Sequence, residues 1–283
     1  MFVAANGVEL AVQTFGDPED PPVLLIGVTM LSWPAELCTS LVGRHVIRYD
    51  LRDVGRSTYV DPENPGYDLR DLVGDAAGLL TALGHRRAHV VGTGVGGFIA
   101  QLLALDHPDR VTTLTLVSTR PVAPGPVDPD LPDHDMEVMA ELFSGPGPDW
   151  TDRAAVLAHM TRATRLLSGA DGFDEADARA VAAAIFDRTR PTAAAQRASH
   201  QGTVFAAIDC RPRWRERLAE IAAPTLVLHG DDDPFFPHGN AVALATEIPG
   251  VVTLTGAGAV LPRASWPAAV EALLRHARPP CAG

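Results

Sequence analysis

The chain has 283 residues, of which 46% are hydrophobic and 20% charged; that is enough apolar material for one sizeable core or two modest ones, and it excludes a disordered or fibrous protein. Its 25 glycines and 24 prolines stand as single turn markers, without the three-residue period of collagen or the runs of a linker. A formal net charge of -12 repels phosphate backbones and anionic headgroups, so neither nucleic acid nor a membrane surface is expected as a partner.

Residues 2 to 16 read as a β-hairpin around Asn6-Gly7, the dipeptide favoured where both central turn residues take positive φ. Short apolar runs follow: VLLIG (23 to 27), HVIRYD (45 to 50), AHVVGTG (88 to 94) and VTTLTLVS (111 to 118). Each is too short and too β-branched for a buried helix, and fits a strand covered on both faces. Between the second and third, Leu69, Leu72, Val73, Ala76, Leu80 and Leu83 recur at helical spacing, with Asp68 placed to cap the start and Gly84 the end. The alternation stops at about residue 120. From there to 213 strands vanish: a proline-rich stretch, PVAPGPVDPDLPD, leads into helical patterns. It resumes with PTLVLHG (224 to 230), VVTLTG (251 to 256) and a final amphipathic helix carrying Trp266, Val270, Leu273 and Leu274. The pattern predicts a mostly parallel α/β sheet flanked by helices, its core formed by 1-119 and 214-283. The helical insertion 120-213 is expected to lie as a lid over the strand ends where α/β ligands bind.

Cys38, Cys210 and Cys281 lie far apart, in odd number and without metal-ligand spacing, so neither a disulfide framework nor a metal centre is expected. The first residues lack a basic segment followed by an apolar run, and no apolar stretch approaches 18 residues; the expectation is a cytoplasmic protein.

Four segments carry a resemblance. HVVGTGVGGFIAQLLALDHPDRV is similar to the strand, sharp turn and helix of a nucleophile elbow. YDLRDVGRS resembles a D-x-R-G-x-G-x-S turn, HGDDDPFFP a loop presenting a catalytic acid, and TGAGAVLP a G-x-G-H segment. On these the chain resembles the α/β-hydrolases over nearly its whole length. GVTMLSWPAEL and HVIRYDLRDVGRST are similar to the aromatic-polyketide tailoring branch typified by aclacinomycin methylesterase. The resemblance implies an α/β-hydrolase fold with Asp233 as triad acid, and oxyanion amides at Val95 and Val28. It also shows two departures: the nucleophile serine is replaced by Gly94, and the triad histidine by Ala259.

Serine acyl transfer needs an oxygen nucleophile, an imidazole to carry its proton and an acid to orient that imidazole. Gly94 and Ala259 supply neither of the first two. Backbone donors need no side chain, so an oxyanion pocket can outlast both losses, and glycine takes the positive φ of the elbow without strain. The reading is therefore a tailoring enzyme for a carbonyl-rich aromatic polyketide that acts non-hydrolytically, by cyclisation, elimination, decarboxylation or rearrangement. Two alternatives stand beside it: a non-catalytic small-molecule binder, and a carboxylic ester hydrolase or an inactivated variant of one. Candidate substrate-binding residues are Gly27, Thr29, Met30 and Trp33 after the first buried strand, and Met136, Met139, Phe143 and Trp150 in the insertion. Core packing competes for the apolar ones. Lid arginines Arg162, Arg165, Arg188 and Arg190 are candidates for an anionic substrate group, and His159 and His200 for the cavity or solvent. Gly92-x-Gly94-x-Gly96 lacks dinucleotide-binding spacing, so no cofactor is expected. A small molecule is the expected partner, with the chain a monomer or homodimer.

Overall fold

The computed structural model describes residues 1–169, 173–249, 252–255 and 263–277. In chain order the strands are β1 (Phe2–Ala5), β2 (Val8–Phe15), β3 (Pro22–Ile26), β4 (His45–Tyr49), β5 (Ala88–Thr93), β6 (Val111–Val117), β7 (Thr225–His229) and β8 (Val252–Thr255). The helices are α1 (Ala35–Ser40), α2 (Leu69–Ala82), α3 (Gly96–Asp106), α4 (Met136–Phe143), α5 (Arg153–Leu167), α6 (Glu175–Arg188), α7 (Ala193–Gln201), α8 (Val204–Ala207), α9 (Gly239–Glu247) and α10 (Trp266–His276). The strands form one sheet in the order β1-β2-β4-β3-β5-β6-β7-β8. β1 and β2 are the antiparallel hairpin expected at Asn6-Gly7, and β2 pairs antiparallel with β4. From β4 to β8 every pairing is parallel.

Because successive strand residues face opposite sides, an uninterrupted apolar strand feeds two cores. Leu24 and Ile26 of β3 join Leu72, Phe98 and Leu102 on the face covered by α2 and α3. Val23 and Leu25 join Leu37, Val270 and Leu273 on the face covered by α1 and α10. Each of these wholly buried side chains stabilises the fold by roughly 1.5–3 kcal/mol. The crossover helix α2 begins with a capping box: the Asp68 carboxylate accepts from the N–H groups of Arg70 and Asp71, and the Asp71 side chain accepts from Asp68 N–H. Gly84 follows the helix at φ +81°.

The strand order locates a crevice. β4 pairs with one side of β3 and β5 with the other. The chain leaves β3 toward α1 on one face and leaves β5 toward α3 on the opposite face. The two connections diverge at the carboxyl ends of neighbouring parallel strands, the place where open α/β sheets bind ligands. The five helices α4 to α8 occupy the interval between β6 and β7, where sequence patterning loses its strands. No helix among the described residues is long and apolar enough to cross a membrane.

Candidate active site

The turn after β5 keeps the backbone of an elbow. Gly94 takes φ +56°, and a Cβ built on it meets no atom within 4 Å, so the position faces open space. Its neighbours are glycines for a different reason. A Cβ on Gly92 would lie 2.5 Å from Gly96 O, and one on Gly96 would lie 2.4 Å from Ile26 O and 3.0 Å from Gly27 N. These contacts press the start of α3 against the end of β3 and bring Val95 beside the Gly27–Val28 loop. Among the described residues, no hydrogen bond takes up the N–H of Val95 or of Val28. Two free backbone donors thus border the turn, one of them at a helix N-terminus, where the aligned peptide dipoles favour negative charge.

A buried carboxylate fixes the Val28 loop. Asp50, at the end of β4 and wholly buried, accepts from Met30 N–H at 2.9 Å through Oδ1 and from Arg56 N–H at 3.0 Å through Oδ2. Its Oδ1 also accepts from Arg188 Nη1 at 2.6 Å, tying the end of α6 to this loop. Leu51 N–H adds a 3.4 Å bond to Val28 O. Asp50 opens the YDLRDVGRS turn, and the sequence alone does not show that it holds the Val28 loop.

On the other side of the turn, Gly94 N–H is shared by Val117 O at 3.0 Å and Ser118 O at 3.1 Å, while the Thr119 hydroxyl donates to Gly94 O at 2.6 Å. Ser118 leaves β6 with φ +41° and brings its hydroxyl beside Asp233. Asp233, 3% exposed, accepts through Oδ1 from Phe235 N–H at 2.9 Å and Phe236 N–H at 2.8 Å. Its Oδ2 is buried and has no hydrogen-bond partner. Burial pushes the carboxyl up to about 6, against the pull of those two N–H groups, the Ser118 hydroxyl and His134. His229 stands 3.7 Å from Asp233 Oδ2, but its Nε2 donates to Phe236 O at 2.6 Å, and burial lowers its proton affinity. Its ring is thus taken up by the Phe236 carbonyl and serves the packing of this loop.

The structure thus brings Gly94, Val95, Gly27 and Val28 to one crevice, with Ser118 linking the turn to Asp233. Ala259 lies outside the described residues. Thr29 is buried and caps a short turn, its hydroxyl accepting from Leu31 N–H at 3.1 Å, and Met30 beside it is buried outside the two packed clusters. Three aromatic and sulfur candidates are corrected. Trp33 packs with Val23, Leu25, Leu37 and Cys38 in the α1 and α10 core, because its loop has already turned to that face of the sheet. Met136 and Phe143, 68% and 53% exposed, face solvent at the ends of α4, since that helix buries only Leu142. Met139 and Trp150 are half-buried.

The candidate arginines of the insertion are also paired or stacked. Arg162 pairs with Glu141 and Arg165 with Glu175, while Arg190 sits over the Tyr59 ring at 4.3 Å. The ring of Trp150 lies 5.7 Å from that of His159 and 6.1 Å from that of His200. Both ring nitrogens of His200 are buried without a partner, and burial lowers this imidazole to about 4. Cys38 and Cys210 are free thiols, raised by burial, and no cluster among the described residues has the make-up of a metal site.

Comparison with known proteins agrees with this fold. A family model described as the alpha/beta hydrolase fold matches residues 27–260. Rhodomycin D methylesterase DnrP of Streptomyces peucetius is 34% identical, the match covering 98% of this chain and 97% of that protein. Rhodomycin D methylesterase DauP of Streptomyces sp. (strain C5) is 33% identical over the same shares. Among solved structures, an esterase from Exiguobacterium antarcticum superposes with a TM-score of 0.74 at 20% identity, covering 98% of each chain. The enol-lactonase of Burkholderia xenovorans LB400 does so with a TM-score of 0.71 at 23% identity, covering 98% of this chain and 99% of the other. At these identities the structures speak for the fold alone. With the sequence matches and the strand order in agreement, the chain belongs to the α/β-hydrolase fold family.

Proposed function

We propose that the protein is a tailoring enzyme for aromatic polyketides that works on a substrate carbonyl without a covalent serine step, the helices α4 to α8 serving as its lid. One observation carries the reading: unclaimed N–H groups at Val95 and Val28 border a turn whose nucleophile position, Gly94, opens onto empty space. A carbonyl oxygen seated there accepts from both donors, and each donor aimed at developing negative charge lowers the barrier by about 3 kcal/mol. Asp233 then acts as base. Through an intervening water, its buried Oδ2 takes up the proton that leaves the carbon beside the carbonyl, the C–H electron pair moves into the enolate, and the amides hold the oxygen. With the carboxyl raised to about 6, the base is ionised at neutral pH yet close enough in proton affinity to return the proton to a later intermediate. Cyclisation, elimination and enolisation-driven rearrangement proceed through such an enolate; decarboxylation reaches the same enolate by loss of CO2, the C–C electron pair moving onto the carbonyl, and Asp233 as the acid then returns a proton to carbon.

Ester hydrolysis is the second reading, favoured by the printed activity of DnrP and DauP. The two part at the products. Incubation with an aromatic polyketide methyl ester, followed by mass spectrometry, yields methanol and the free acid if the protein hydrolyses; an isomeric, cyclised or dehydrated product with the methyl ester intact supports the proposal, and decarboxylation is read separately with the free acid as substrate. Saturable binding with no conversion of a range of such substrates overturns both in favour of a silent binder. The Gly94→Ser, Ala259→His double variant is expected to gain burst-phase hydrolysis of activated esters that the parent lacks. Parent turnover equal to that of the variant defeats the proposal.

A further inference from the structure

We propose that His134, at the root of the helical insertion, is a positioning residue that sets the hydrogen bonds received by Asp233. The inference rests on the reading of Asp233 as the proton-moving group, and it concerns how that group is held. The two N–H groups on Asp233 Oδ1 belong to two successive peptide planes, Pro234–Phe235 and Phe235–Phe236. A peptide unit is planar, so gripping its oxygen aims its N–H. Both oxygens are gripped by consecutive residues of the insertion: Pro234 O accepts from Asp135 N–H at 2.9 Å, and Phe235 O accepts from His134 Nδ1. The His134 ring also packs on the Phe235 ring, with centroids 4.7 Å apart.

The imidazole is itself held from behind. Arg120 Nη1 stands 3.5 Å from His134 Nε2, which assigns Nε2 as acceptor and leaves the proton on Nδ1, where it serves Phe235 O. Arg120 is 2% exposed, and no carboxylate among the described residues pairs with it. Its other donors go to Val122 O at 3.2 Å and Ala123 O at 2.7 Å. A guanidinium buried without a counter-ion is costly, and here its bonds run to the loop after β6 and to one imidazole. The groups facing Asp233 are therefore the Ser118 hydroxyl at the end of β6, His229 at the end of β7 and His134 from the insertion. Asp231 and Asp232 share its loop, Asp133 adjoins His134, and His238, at the start of α9, faces Asp231 at 3.4 Å.

The test reads Asp233 without substrate, so its outcome is independent of which reaction the protein performs. The full chain is labelled with 13C at Asp carboxyl carbons, the Asp233 resonance is assigned by its loss in Asp233→Asn, and its titration is followed by NMR. In His134→Phe the N–H of Phe236 is no longer aimed, the anion loses support, and the midpoint is expected to rise by about one pH unit. His134→Asn, whose side-chain amide donates from the place of Nδ1, is expected to titrate with the parent; a neutral residue restoring the value separates aim from charge. If His134→Phe does not fold, His134→Ala, which only removes atoms, carries the same expectation. An unchanged midpoint in the Phe or Ala variant, or an Asn variant that shifts as far as they do, overturns the proposal. Turnover of a true substrate undiminished in Asp233→Asn would instead remove the reading beneath it and leave the geometry standing.

Discussion

The turn after β5 and the loop after β7 are held in opposite ways. The turn presents no side chain at Gly94, which holds φ +56°, while Gly92 and Gly96 sit where a Cβ would strike neighbouring atoms. The loop presents a carboxylate, Asp233, that is buried with one oxygen saturated and the other unpartnered. Shape at the turn is therefore enforced by close packing, whereas chemistry at the loop is set by desolvation. The first tolerates almost no added volume outside Gly94; the second responds to pH.

The largest effect that would break this comparison is at Gly96. In Gly96→Ala the new methyl lies 2.4 Å from Ile26 O, a backbone atom of β3 that cannot swing aside as a side chain tip does. Destabilisation of about 3 kcal/mol or more is expected, read as a lowered midpoint in urea unfolding. A Gly96→Ala protein as stable as the parent would show that the turn is not held by packing.

At the loop the expected effect is smaller and depends on pH. Burial raises Asp233 from 3.8 to about 6, so the folded protein binds this proton more tightly than the unfolded chain. The associated stability is complete below about pH 4 and is lost as pH rises through about 6, reaching roughly 3 kcal/mol. Asp233→Asn removes that dependence. Relative to the parent it should gain about 2–3 kcal/mol between pH 4 and pH 8 in denaturant unfolding. A pH-independent difference would mean that the carboxyl is not desolvated, and the contrast with the turn would collapse.

How much of this was legible beforehand follows the range of the interactions. The strands announced themselves because burial on both faces leaves continuous apolar runs such as VLLIG, and α2 because its cap and apolar stripe are local. Gly94 and Asp233 are singled out by the resemblance, and no periodicity marks them. What escaped depends on contacts between distant residues: Arg188 meets Asp50 across 138 positions, and His134 meets Phe235 across 101. Asp50 opens the segment resembling a D-x-R-G-x-G-x-S turn, but no local pattern names its distant partner, and none marks His134. Trp33 was misjudged because composition identifies an aromatic next to the crevice without saying that the chain has already turned toward α1. Met136 and Phe143 show the same limit on a helix, where spacing defines an apolar face but not what covers it.

The smallest expected effect sharpens the comparison most. Gly94→Ser puts its Cβ into open space, so no packing penalty arises, but an L-residue at positive φ costs roughly 1–2 kcal/mol. Part of this is offset because the unfolded chain loses glycine's freedom, by about 0.4–1 kcal/mol. The net expectation is a loss of about 1 kcal/mol, several-fold below Gly96→Ala although the two positions lie one residue apart from Val95. Unfolding curves of the two variants measured side by side check the ratio. Comparable losses would mean that backbone strain, and not close contact with β3, governs the whole turn; the free amides of Val95 and Val28 would then owe their placement to Gly94 itself, and glycine there would be a requirement of the site.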